Sequence, residues 1–111
     1  MATETIFVNV ISGTTEVSFT DNQGNSGKHI TTNVSRGDKV KWKVRTEGLV
    51  ITGIPMKGTN SIWSEAPNSK GNGEWEGTIS SSAPLGTEAY GLNYTINGNS
   101  YSQDPDLKVQ D

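Results

Sequence analysis

The chain has 111 residues, of which 31% are hydrophobic and 13 are glycine, with no cysteine and a formal net charge of −3. This is enough for one core and one domain over 1–111, thin for a helical protein, and adequate for packed sheets that each keep one polar face. The lack of cysteine excludes disulfides and thiolate chemistry, the acidic balance argues against nucleic acid, and no apolar run reaches the length of a membrane span.

In chain order, Met1 to Phe7 passes directly into strand-like sequence, without the basic and apolar regions of a signal peptide. The expected location is therefore cytoplasmic, with signal-independent export as the alternative. Strands are predicted near 4–11, 15–20, 29–34, 39–46, 49–54, 74–80, 88–97 and 106–110, because apolar residues alternate there and turn residues punctuate the gaps. Ile6, Val8 and Val10 share one face, and Val17 and Phe19 continue the pattern. From Lys39 to Arg45, Val40, Trp42 and Val44 alternate with Lys39, Lys41, Lys43 and Arg45, giving one core face and one cationic face. No window shows a helical repeat. Eight short strands predict an all-β, antiparallel fold, a β-sandwich or a small barrel.

Residues 21–28 and 97–100 read as turns, and Pro55 to Gly73 as the longest connection. Ordered loops of that length often carry function. Ile62 and Trp63 are adjacent within it, so strand periodicity gives no reason for both to be buried. An indole among amides and hydroxyls has the composition of a sugar-binding or protein-binding surface, while the plainer alternative is that Trp63 caps one end of the sandwich. The binding residues expected on this reading are Trp63, Ile62, Asn60 and Asn68.

Gly37-Asp38-Lys39-Val40-Lys41-Trp42 and the stretch from Pro84 to Tyr94, together with the ending Asp104 to Val109, resemble the cupredoxin-like family of Greek-key sandwiches. The resemblance implies a cupredoxin-like or immunoglobulin-like scaffold. Copper in that family requires a cysteine and two histidines, whereas this chain has no cysteine and only His29, so the scaffold is expected without a cofactor.

Other motifs have simpler readings. Lys39, Lys41, Lys43 and Arg45 are expected to pair with outward carboxylates such as Glu74, Glu76 and Glu88. Arg36-Gly37-Asp38 is a turn into a strand. Glu74 and Glu76 share a strand face without the apolar burial that raises an acid's pKa, so catalysis is not expected. Asp21 with Asn22 and Asn25, or Asp104 with Asp106, offer oxygen ligands of the kind calcium takes, but Asx-turns account for both. The sequence thus predicts a non-catalytic binding or self-assembling module, with a lectin using the Met56–Gly73 loop as the alternative. The expected partner is a protein or further copies of the chain, with carbohydrate as the rival.

Overall fold

The computed structural model describes residues 2–56 and 62–110. Among them the regular structure is all strand: β1 Thr3–Val10, β2 Val17–Asp21, β3 Ser26–Gly27, β4 Thr31–Ser35, β5 Lys39–Val44, β6 Leu49–Gly53, β7 Trp63–Gly71, β8 Glu74–Ile79, β9 Gly86–Ala89, β10 Leu92–Ile96, β11 Asn99–Gln103 and β12 Asp106–Gln110. They form one six-stranded sheet, in the order β3-β2-β1-β5-β8-β7, and two three-stranded sheets, β11-β10-β6 and β4-β12-β9.

The core lies between the inner face of the large sheet and the two small ones. Ile6, Val8, Val17, Phe19, Val40, Trp42 and Ile79 meet Leu49, Ile51, Leu92, Tyr94, Val34, Leu107 and Val109, all buried. The arrangement is sandwich-like. Trp42 sits at its centre, with its ring centroid 5.6 Å from that of Tyr90 and 6.1 Å from that of Trp63. Its indole N–H donates to the Tyr90 hydroxyl at 3.2 Å, which lets both large rings be buried without an orphaned polar atom. Burial pushes the Tyr90 hydroxyl pKa well above the ordinary tyrosine range.

Three expectations need correction. The sheets are not wholly antiparallel, because β1 pairs with β5 and β12 with β4 in parallel. Side-chain alternation is the same in both pairings, so it cannot choose between them. The single strand expected over 88–97 is two: β9 pairs with β12, β10 pairs with β6, and the chain changes sheet at Tyr90 and Gly91. The expected loop from Met56 to Gly73 contains β7, which pairs along β8 despite register breaks and Pro67.

β7 lies where it does partly because β8 carries a glycine. A methyl group on Gly77 would come within 2.9 Å of Cζ3 of Trp63 and 3.1 Å of the Glu65 carbonyl oxygen. Trp63 therefore packs over a gap in β8 and reaches Trp42.

Candidate functional site

Of the four residues expected to bind a ligand, the structure describes Ile62, Trp63 and Asn68. Ile62 is fully buried in the core, and Trp63 is half-buried and packed against it. Asn68 donates its side-chain amide to the Ala66 carbonyl at 3.0 Å, so it holds the irregular backbone of its own strand. Asn60 lies outside the described residues. Ile62 precedes the strand and Trp63 opens it, so both turn inward without breaking any alternation.

The structure instead brings three short turns together at one end. The first, Arg45 to Gly48, carries the chain from β5 in the large sheet to β6 in a small one. The Leu49 N–H donates to the Thr46 carbonyl at 3.3 Å, and the Val10 N–H donates to the Thr46 hydroxyl at 2.9 Å, which fixes this turn to the end of β1. The second is the Asn72–Gly73 hairpin between β7 and β8; the Val44 N–H donates to the Gly73 carbonyl at 3.0 Å. The third is the Asn97–Gly98 hairpin between β10 and β11, and a methyl group on Gly48 would lie 3.4 Å from the Asn97 amide oxygen. The first turn thus touches the third directly, while the second bonds the end of β5 from which the first turn leaves.

Both hairpins have positive φ at each central residue, 54° and 74° at Asn72 and Gly73, 51° and 86° at Asn97 and Gly98. That is the backbone of the tight hairpin turn whose twist matches the flanking strands, and Asn-Gly is its preferred sequence. Arg45, Glu47, Gly48, Asn72, Gly73, Asn97 and Gly98 are exposed, and Arg45 and Glu47 are the charged residues among them. The turns carry three glycines, and the strands that hold them belong to two sheets.

A second feature is an open depression of about 400 Å³ on the outer face of the β11-β10-β6 sheet. It is lined by Thr52, Asn93, Ser100, Tyr101 and Ser102. None of these residues is charged.

The remaining sequence candidates have structural roles. Lys39 pairs with Glu76 at 3.5 Å, and Lys41 and Lys43 pair with Glu74 at 3.4 and 3.9 Å, so the cationic stripe is matched by the neighbouring strand. Arg45 lies 3.5 Å above the Phe7 ring. Asp38 is buried, and its carboxylate accepts the N–H groups of Ser35 and Ala2 at 2.8 and 3.0 Å; the Arg36-Gly37-Asp38 tripeptide is a fixed turn. Asp21 accepts the backbone N–H groups of Gln23 and Asn25, the Asn25 amide, and the Thr32 hydroxyl at 2.7 Å. Burial by itself would raise its pKa, but the hydrogen bonds, with those from Asn25 and Thr32 leading, outweigh it and leave the carboxyl below its usual range. His29 meets Asp106 at 3.0 Å. Among the described residues no group of three or more His, Cys, Asp or Glu is placed to hold a metal ion.

No family model and no curated protein matches the chain. It is similar in fold to solved structures. One is a cysteine protease inhibitor, EhICP2 from Entamoeba histolytica, at 19% identity over 74% of this chain and 86% of that one, with a TM-score of 0.44. Another is amebosin, at 17% identity over 76% of this chain and 100% of that one, with a TM-score of 0.36. The expectation of a lectin, or of a self-assembling module of unknown ligand reading through the 56–73 segment, is corrected by the full burial of Ile62 beside a half-buried Trp63, which leaves that segment without its exposed apolar anchor.

The three-turn end was missed although part of its signal is in the sequence. Asn72-Gly73 and Asn97-Gly98 are each hairpin dipeptides, and recognising the first would have required a strand on its N-terminal side. The segment Trp63–Gly71, WSEAPNSKG, offers no alternation to suggest one.

Proposed function

We propose that this chain is a non-catalytic inhibitor that seats its three-turn end in the cleft of a protein partner, with cysteine proteases the first class to assay. The observation that carries the reading is the meeting of three exposed turns, Thr46 to Gly48, Asn72–Gly73 and Asn97–Gly98, on strands of two sheets. Turns fixed in this way lose little conformational freedom on binding, which lowers the cost of association. Their small side chains let backbone donors and acceptors approach a partner closely. A peptide substrate lies extended in a protease cleft, whereas left-handed turn residues cannot extend there, so such a wedge fills a cleft without offering a bond in the cleavable geometry. With one carboxylate, Glu47, and one cation, Arg45, the three turns carry no net charge, so association would depend on shape more than on electrostatic steering.

The test is steady-state inhibition of a panel of papain-type cysteine proteases by the purified chain and by Glu47→Trp, which adds bulk at an exposed tip position. Inhibition by the parent and loss of at least roughly tenfold in the variant, about 1.4 kcal/mol, support the reading. Absence of inhibition across the panel, or equal inhibition by Glu47→Trp, refutes it. The finer assignment of the sandwich as Greek-key and cupredoxin-like or immunoglobulin-like is also a proposal, supported by the Gly37–Asp38 turn leading into the buried Trp42.

A further inference from the structure

β11 is the outer strand of its sheet, and its free edge is arranged to accept another strand. The two-residue turn Asn97–Gly98 makes Ile96 and Asn99 a hydrogen-bonded pair. By alternation Tyr94 with Tyr101 and Leu92 with Gln103 are hydrogen-bonded pairs, while Thr95 with Ser100 and Asn93 with Ser102 are not. The backbone N–H and C=O groups of Ser100 and Ser102 therefore point away from β10, where no strand of the described residues lies.

Folded proteins usually protect such an edge with charge, proline, a bulge or brevity. Several edges of the other two sheets are protected in this way. β7 has register breaks and Pro67, and β3 has two residues. The Gln23 side chain pairs with both the N–H and the C=O of Asn33 in β4. The Gln103 side chain does the same for Val17 in β2, at 3.0 and 2.6 Å. Asn99–Gln103 has no proline, no charge and a regular register with β10. The uncharged depression lined by Thr52, Asn93, Ser100, Tyr101 and Ser102 opens beside it.

We infer that the β11 edge binds an extended segment of a partner protein, added as a further strand through the backbone of Ser100 and Ser102, with a neutral side chain of that segment in the adjoining depression. Strand addition needs backbone groups in register and a pocket for alternate side chains, and both are present. A charged side chain is disfavoured because no lining residue would pair with it. A second copy is a poor occupant: pairing β11 with itself sets serine against serine and offers the depression only serine side chains. This inference goes beyond the proposed inhibition and stands without it, since the edge lies alongside the three-turn end and not in it.

The experiment selects linear peptides from a random phage library against the immobilised full chain, then measures binding to the parent, to Ser100→Pro and to Ser102→Pro. Proline removes the outward N–H and leaves the bonds to β10, and edge positions tolerate it. The expected result is enrichment of proline-poor peptides with an uncharged centre, slowed amide exchange at Ser100 and Ser102 in the parent complex, and a loss of at least roughly tenfold in either variant that keeps the parent's melting curve. Should both variants unfold, the exchange of the parent decides alone. Failure to enrich any peptide, binding that leaves Ser100 and Ser102 unprotected, or affinity unchanged in a folded proline variant overturns the inference. Self-association of the parent that is abolished by Ser100→Pro would assign the edge to a second copy and overturn the choice of occupant.

Discussion

Trp63→Ala distinguishes a core indole from a surface one, and the structure gives the size of the effect. A fully buried tryptophan truncated to alanine costs about 3 to 5 kcal/mol. Trp63 is half-buried, which lowers the figure, but its ring also packs 6.1 Å from that of Trp42, a pair worth roughly 1 kcal/mol beyond area. The expected loss is about 2 to 4 kcal/mol. Gly77→Ala places a methyl group 2.9 Å from the same ring and should cost about 1 to 3 kcal/mol as overpacking. In the double variant the ring is gone, so part of that clash disappears. The Glu65 carbonyl oxygen and the Pro67 nitrogen, both 3.1 Å from the added methyl, keep the relief incomplete. Urea denaturation followed by far-UV circular dichroism measures all four proteins, and the double variant should be more stable than the sum of the singles by about 1 kcal/mol. A Trp63→Ala loss below about 1 kcal/mol, or strict additivity, would refute the packing of Trp63 over Gly77.

Three further outcomes follow from the same geometry. Asp21→Asn turns one acceptor oxygen into a donor among groups that already donate, and should cost about 2 kcal/mol or more near neutral pH. Because the folded carboxyl titrates below its unfolded value, its contribution is complete above about pH 4 and is lost as pH falls through the lowered pKa, so parent and variant should converge in acid denaturation at low pH. Gln103→Leu removes the bonds to Val17 and to the Lys28 carbonyl and leaves the Val17 N–H without its partner; a loss of about 2 to 3 kcal/mol is expected in chemical denaturation. At Asn97, whose φ is 51°, substitution by alanine should cost about 1 kcal/mol while glycine stays within about 0.5 kcal/mol, a contrast that melting curves report.

The sequence by itself determined whatever depends on neighbouring residues. Val40 and Trp42 face the core while Lys39, Lys41 and Lys43 face Glu74 and Glu76, because side-chain parity is built into an extended chain. The Gly37–Asp38 turn and the strand tendency of most segments were legible for the same reason. Tertiary structure alone decided pairing. β7 has no alternation of its own and is a strand because β8 supplies its hydrogen bonds and Gly77 leaves space for Trp63. Nothing local distinguishes the parallel pairing of β1 with β5, or the change of sheet at Tyr90 and Gly91, from the alternatives. The three-turn end joins residues 46–48, 72–73 and 97–98, which are far apart in the chain, and their meeting follows from sheet order, a property of the whole molecule that no local window contains.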